Sequence, residues 1–116
     1  MNTTSGHEIP NKMIENHLAT LINKFFKILP LKEHEEPSLK DYMSSLQFEL
    51  IGSQSLITAF HYDSRYLTLI VILQYMINNP CDVVEVKRQV FNAISICKKL
   101  KEKYCIYGGV VDERLG

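Results

Sequence analysis

Apolar residues recur at helical spacing along four stretches of this chain, and each stretch is bounded by residues that start or stop helices. In the first stretch the gaps between apolar positions are four, three, four and three, which places them on one helix face. These positions are Ile14, Leu18, Leu21, Phe25 and Ile28. Asn11 precedes them as a candidate N-cap, and Pro30 disfavours the helical region for Leu29. The pattern predicts a first helix from residue 11 to residue 29.

The second and third helices are predicted from the same periodicity. Ser38, followed three residues later by Asp41, resembles a capping box, and the helix that it opens is expected to reach about residue 59. Asp63 is a candidate N-cap for the third helix, which is apolar almost all round and stops before Asn78-Asn79-Pro80. A buried strand also fits its Ile and Val content, but a run of about fourteen residues favours a helix. Since a helix without a polar face is buried against several neighbours, we expect it at the centre of the bundle.

A fourth helix is predicted after Asp82 and Glu85, which repeat the capping-box spacing. Its apolar positions follow at gaps of three or four, and lysines crowd its last turns, where positive charge complements the helix dipole. The four segments and their short connectors predict an all-α fold, an antiparallel four-helix bundle. We assign the bundle to residues 11–105, a loose polar leader to residues 1–10 and a short tail to residues 106–116.

Composition and charge narrow the class of protein. Hydrophobic residues are 46% and charged residues 22% of the 116 residues, close to the average of globular domains, which argues against disorder. Thirteen Lys and Arg balance thirteen Asp and Glu, which excludes a generally basic nucleic-acid coat. No apolar run is long enough to span a membrane, and the first ten residues lack a secretory apolar core. Together with an odd number of cysteines, three, this favours a reducing, cytoplasmic location.

The sequence shows no pattern that would assign a catalytic, metal-binding or cofactor-binding residue. The four histidines fall in four different segments: His7, His17, His34 and His61. There is no HExxH, no glycine-rich phosphate loop, and no His that the sequence places beside a cysteine. Cys97 lies on the apolar stripe of the fourth helix and is expected in the core, whereas the role of Cys105 stays open. We therefore expect a protein that is not an enzyme and uses no cofactor or metal.

Nucleic-acid binding is the alternative function that the charge pattern keeps open. Residues 82–104 carry six Lys and Arg against three Asp and Glu. The candidate contacts on this helix are Lys87, Arg88, Asn92, Lys98 and Lys99. They would face a DNA groove if the third and fourth helices formed a helix-turn-helix. Two observations weaken this hypothesis: the turn at 78–81 lacks the glycine common in that motif, and the rest of the chain cancels the local charge.

Binding to another protein is the function that we expect. Aromatic residues surround the predicted apolar stripes as well as lying on them, and aromatic side chains are enriched at interface hot spots. Phe26, Phe48 and Tyr62 are the candidate partner-binding residues. The same surplus of aromatic side chains is compatible with a homodimer or with a different protein as the partner.

Three segments carry a resemblance to other proteins: residues 23–31 (NKFFKILPL), residues 42–46 leading to 49–52 (YMSSL and ELIG), and residues 87–91 (KRQVF). Over about residues 20–100 the chain resembles small uncharacterised proteins carried by phages and mobile elements of Gram-positive bacteria. The resemblance implies a short accessory protein of a mobile element, which binds a host or rival protein as an inhibitor, immunity factor or anti-defence protein. Its motifs are apolar spacings without a catalytic signature, so no site residue is carried over.

Overall fold

Helices account for all the regular structure in the described part of the chain, as the sequence predicts. The computed structural model describes the backbone of residues 11–113 and the side chains of residues 12–104. Its helices are α1 (Asn11–Phe26), α2 (Ile28–Glu33), α3 (Leu39–Leu56), α4 (Ser64–Asn78) and α5 (Val83–Glu113), with a one-turn 3-10 helix at Thr58–Phe60. Only Lys27 separates α1 from α2, and its backbone is also in the helical region, so the two helices follow each other almost without interruption. The predicted all-α four-helix fold is confirmed.

Parts of both predicted ends lie outside the described residues. The predicted leader, residues 1–10, lies entirely outside them, and so do residues 114–116 of the predicted tail. The backbone of α5 continues to Glu113, through the first part of that tail. The side chain of Cys105 is among those that the structure does not describe.

The helices form two layers. α1 packs along α5 more extensively than along any other helix, and α3 packs along α4. Asp63, at the start of α4, meets Lys103 far along α5, so these two helices are antiparallel. On the opposite side of the bundle, Lys24 of α1 pairs with Glu49 of α3, with Nζ and Oε1 2.7 Å apart. These contacts close a ring with an α1–α5 layer, which includes α2, and an α3–α4 layer.

The core lies between the two layers. Its largest fully buried side chains are Tyr66, Phe25, Phe60, Leu18, Leu21, Ile28, Leu50, Leu69, Leu73 and Leu100. Cys97 is also fully buried, which confirms its predicted place in the core. Burial raises the pKa of the Cys97 thiol to about 12, so this thiol stays protonated at neutral pH.

The expectation that the third predicted helix, α4, lies at the centre of the bundle is wrong. One side of α4 is buried, with Tyr66 and Leu73 fully enclosed. The other side is exposed at Leu67, Val71 and Tyr75, although these residues are apolar. The physical reason is geometric: four helices packed in a ring leave no central position, so each has an outer side.

Two predicted helix boundaries and one predicted cap differ from the structure. The second predicted helix, α3, ends at Leu56 instead of reaching about residue 59. The first helix breaks at Lys27 rather than at Leu29, and Pro30 is the third residue of α2. Proline is tolerated there because the N–H groups of a first helical turn have no partner within the helix. Ser38 does precede α3 as predicted, but its side chain makes no capping hydrogen bond, so the predicted capping box does not form.

The predicted N-caps of the last two helices do form. The backbone N–H groups of Arg65 and Tyr66 donate to Asp63 Oδ1, at 2.9 and 3.3 Å. The backbone N–H of Glu85 donates to Asp82 Oδ1 at 2.8 Å. In both cases a carboxylate satisfies donors at the positive end of the helix dipole, which fixes where the helix begins.

α2 ends in a Schellman motif in which Glu35 occupies the left-handed position just after the C-cap. The N–H of Glu36 donates to the carbonyl of Leu31 at 2.9 Å, and the N–H of Glu35 donates to that of Lys32 at 3.0 Å. Glu35 has a φ of 51°, in the left-handed region that glycine usually occupies at this position. This connector therefore contains a strained backbone conformation.

Candidate interaction surfaces

The outer side of the α1–α5 layer carries two exposed phenylalanines in contact. Phe26 on α1 is 40% exposed, and Phe91 on α5 is 51% exposed. Their ring centroids are 6.0 Å apart and their planes meet at 79°, the edge-to-face arrangement that aromatic pairs favour. Phe26 directly follows the buried Phe25, and Phe91 directly follows the buried Val90. Because consecutive residues of a helix are about 100° apart, both rings point away from the core, towards the edge of the groove between α1 and α5.

Basic side chains lie on the same helix as Phe91, on its exposed side. Lys87 lies one helical turn before Phe91, and Lys98 lies two turns after it. The remaining candidate nucleic-acid contacts on the same side of α5 are Arg88, Asn92 and Lys99, all exposed. The structure therefore brings the five predicted nucleic-acid residues to one side of a single helix. We call the surface formed by Phe26, Phe91, Lys87, Lys98 and Lys99 the α1–α5 face.

Ion pairs neutralise part of the charge on α5. Arg88 binds Glu85 with Nη2 and Oε2 2.6 Å apart, and Lys103 lies 3.3 Å from Asp63 Oδ2. Hydrogen bonds from Gln89 and Arg88 lower the pKa of the Glu85 carboxyl, which keeps it ionised and bound to Arg88 at neutral pH. Among the side chains of residues 12–104, no carboxylate lies within ion-pair distance of the three lysines of the α1–α5 face.

The outer side of the α3–α4 layer is largely apolar and has no charged group in its central part, while Lys40 and Asp41 are exposed in the first turn of α3. Its exposed large side chains are Phe48 and Ile51 of α3 and Leu67, Val71 and Tyr75 of α4. We call this surface the α3–α4 face. Between Ser44 and Leu56 the one charged residue is Glu49, which turns away to Lys24 on α1. Between Leu67 and Asn78 there is none.

The seam between α3 and α4 fixes the relative position of the two halves of this face. Gln47 of α3 donates to Gln74 Oε1 at 2.9 Å and to the carbonyl of Ile70 at 3.3 Å. Ile51 lies one turn further along α3, and the antiparallel α4 brings Leu67 alongside it. Phe48 and Val71 lie further outward on their helices. The five apolar side chains therefore lie on one outer side of the layer, with the Gln47–Gln74 pair at the seam between the two helices.

The three predicted partner-binding residues do not come together. Phe26 belongs to the α1–α5 face and Phe48 to the α3–α4 face. Tyr62 is 95% exposed in the connector before α4, next to a shallow cleft lined by Asp63, Ser64, Arg65 and Lys103. The connector thus places Tyr62 at one end of the bundle, away from both faces.

The sequence reasoning missed most of the residues that form the two faces. Phe91 was not singled out because its contact with Phe26 joins distant parts of the chain. Leu67, Val71 and Tyr75 were missed because α4 was expected to be buried on all sides, and Ile51 was missed because it lies beside the apolar stripe of α3. A signal was available in the sequence, since α4 has more apolar positions than three neighbouring helices can cover.

A depression at one end of the bundle contains a cysteine, Cys81. Its volume is about 440 Å³, and its lining includes Lys32, Met43, Met76, Cys81 and Val86. Burial raises the pKa of the Cys81 thiol, and Lys32 opposes this only in part. The thiol is therefore protonated at neutral pH, whereas nucleophilic catalysis requires a thiolate.

His17 is the one described side chain with a buried polar atom that has no hydrogen-bond partner. Its Nε2 is enclosed, and its ring lies 6.1 Å from that of Phe60. Burial lowers the pKa of His17, and the nearby Glu49 carboxylate opposes this shift. The lowered pKa keeps the partly buried imidazole neutral at neutral pH, beside the ring of Phe60.

Neither a metal-binding cluster nor a membrane-spanning helix occurs among the described residues. No three His, Cys, Asp or Glu side chains within residues 12–104 gather closely enough to hold a metal ion. None of the helices in the part of the chain that the structure describes is both long and apolar enough to cross a bilayer. Comparison with protein-family models, with curated proteins and with solved structures gave no match.

Proposed function

We propose that this chain is a small helical protein-interaction module that binds another protein through its α1–α5 face. The observation that carries the proposal is the contact of two exposed phenylalanine rings, Phe26 and Phe91, on a side of the layer whose three exposed lysines form no ion pair among the described side chains. Exposed aromatic side chains that cluster in this way are typical of the centre of an interface, with charged groups at its rim.

The composition of the face defines the chemistry of its partner. Fully burying one large apolar side chain contributes about 1.5–3 kcal/mol. Phe26 and Phe91 are each about half exposed, so covering both contributes about as much as burying one complete side chain. The positive charges of Lys87, Lys98 and Lys99 favour carboxylates on the facing surface of the partner. Such charges increase the rate of association more than they increase the affinity. The partner therefore presents an apolar group bordered by acidic residues.

The biological setting that we propose rests on the sequence resemblance. In this setting the chain is a phage or mobile-element accessory protein of the inhibitor, immunity or anti-defence type. It acts in the cytoplasm without catalysis or a cofactor. The small helical bundle supports this proposal, because a protein of this kind needs only a stable scaffold that presents a surface to its target.

A DNA-binding regulator is the second candidate function, and one observation favours it. Lys87, Arg88, Asn92, Lys98 and Lys99 all project from one side of α5. Against it, Arg88 is already held by Glu85, which reduces the number of phosphates that the helix can neutralise. The two candidates therefore compete for the same surface, and one experiment separates them.

The experiment is capture of binding partners from nuclease-treated lysate of the cell that expresses the gene. We expect wild-type protein and Tyr62→Ala to enrich the same acidic protein, and Phe91→Ala to lose it. Tyr62→Ala is the matched control, because it removes an exposed aromatic ring outside the face. If binding instead disappears with nuclease, falls steeply with salt and requires Lys87 and Arg88, the DNA-binding function is correct and the protein-binding function is wrong.

A further inference from the structure

The α3–α4 face is an exposed apolar surface that the proposed function does not use. Val71 at its middle is 62% exposed, and four other large apolar side chains surround it. Contiguous apolar patches of this kind on soluble proteins mark interaction sites. The face lies on the layer opposite the α1–α5 face, so both surfaces can be covered at the same time.

The apolar positions on α4 have a symmetric arrangement. Leu67 and Tyr75 lie four residues before and four residues after Val71, in one i, i+4 row along the exposed side of the helix. Such rows are the ridges that interlock in the commonest class of helix–helix packing. If two copies of α4 cross antiparallel at Val71, then Leu67 of each copy faces Tyr75 of the other.

We propose that a second copy of this chain covers the α3–α4 face, and that the two copies are related by a twofold axis passing close to Val71. A twofold interface buries the same patch on both chains, so each residue must suit its symmetry mate. The α4 row satisfies this condition, because an apolar residue meets an apolar residue at all three of its positions.

Charge favours a second copy over a different partner. Two copies of a charged surface repel each other across a twofold axis, whereas an uncharged surface is compatible with itself. The central part of the α3–α4 face has no charged group. The lysines of the α1–α5 face, in contrast, oppose self-association through that side.

The size of the face sets the expected strength of the dimer. α4 has 15 residues and is therefore about 22 Å long, and two neighbouring helices are about 20 Å wide. A surface of these dimensions is smaller than the roughly 800 Å² that each partner contributes to a standard interface, so we expect a weak dimer. The dimer presents its two α1–α5 faces outward, so it binds its partner at two places.

The test is the molecular mass in solution of the wild-type protein and of four single variants. Light scattering or sedimentation measures this mass from about 1 µM to about 500 µM, a range that covers weak and moderate dimers. Val71→Glu and Val71→Lys place a charge at the twofold axis. Val84→Glu and Val84→Lys are matched controls, because Val84 is a similarly exposed valine, at 74%, on the other layer. Circular dichroism checks that all variants remain helical.

We expect wild type and both Val84 variants to reach twice the chain mass of 13.4 kDa, and each Val71 variant to remain a monomer at the same concentrations. Mixing Val71→Glu with Val71→Lys is expected to restore dimers, since opposite charges then meet at the axis. A wild-type protein that stays monomeric throughout, or a Val71→Glu dimer as stable as wild type, would overturn the proposal. Neither result affects partner binding by the α1–α5 face, which Phe91→Ala tests separately.

Discussion

Phe60 lies flat against Tyr66, with ring centroids 4.1 Å apart and 11° between the ring planes. The Tyr104 ring of α5 meets Phe60 nearly edge-on at 6.1 Å. The hydroxyl of Tyr66 donates to the carbonyl of Leu50 at 3.0 Å, and this burial raises the pKa of Tyr66. The 3-10 helix between α3 and α4 is thus anchored through Phe60, which joins three helices at one end of the bundle.

Replacing Phe60 with alanine is expected to be the most destabilising change among those considered. Phe60 is fully buried, and its removal leaves a cavity between Tyr66 and Tyr104, so we expect a loss of about 3–5 kcal/mol in the free energy of unfolding. Urea denaturation measures this loss. Tyr62→Ala, two residues away and exposed, should change the same free energy by less than about 0.5 kcal/mol. Equal effects of the two variants would mean that the aromatic cluster does not anchor the connector.

Asp63 combines two roles that substitutions can separate. Asp63→Ala removes both the N-cap of α4 and the contact with Lys103, and it should cost about 1–2 kcal/mol of unfolding free energy. Asp63→Asn keeps a capping oxygen and loses only the ion pair, which involves a Lys103 side chain that is half exposed. We therefore expect a smaller loss, below about 1 kcal/mol, for Asp63→Asn. Thermal or urea unfolding compares the two, and an Asn variant as unstable as the Ala variant contradicts the N-cap role.

Glycine at position 35 is expected to stabilise the protein. The left-handed conformation of Glu35 costs a non-glycine residue about 1–2 kcal/mol, and glycine removes this cost. Glycine also lowers the free energy of unfolding by about 0.5–1 kcal/mol, because its unfolded chain has more conformational freedom. Glu35→Gly should therefore raise the free energy of unfolding by up to about 1 kcal/mol. Glu33→Gly, within α2, is the control and should lower it by about 0.5–1 kcal/mol. A Glu35→Gly variant less stable than wild type would contradict the strain at this residue.

His17 is expected to make stability depend on pH. Burial lowers the pKa of His17 in the folded protein, whereas the unfolded chain titrates near the ordinary value of 6.5. Between these two pKa values the unfolded chain binds more protons than the folded protein does. The contribution of His17 to the free energy of unfolding is therefore complete above pH 6.5, and it is lost as the pH falls through the folded pKa.

The measurement for this prediction is urea unfolding of wild type and His17→Leu across mildly acidic and neutral pH. The difference in unfolding free energy, wild type minus variant, should increase with pH, because carboxylates common to both proteins cancel. A difference that stays constant would show that His17 has the same pKa in the folded and unfolded states.

Local features of this fold were predictable from the sequence, and the surfaces were not. The spacing of apolar residues predicted the helices. The carboxylates of Asp63 and Asp82 predicted where α4 and α5 begin, because an N-cap depends on residues only a few positions apart. The exposure of Val71 depends on how many helices surround α4, which periodicity does not specify. The contact of Phe26 with Phe91 depends on the relative shift of α1 and α5, which packing across the whole bundle determines.

The affinity of the captured partner for defined variants tests the proposed function most directly. Isothermal titration calorimetry or biolayer interferometry would compare wild type, Phe91→Ala and Tyr62→Ala. Because Phe91 lies at the centre of the α1–α5 face, its truncation should weaken binding at least about tenfold, or 1.4 kcal/mol, and Tyr62→Ala should leave the affinity unchanged. An affinity that is unchanged in Phe91→Ala, or lost in Tyr62→Ala, would contradict binding through this face.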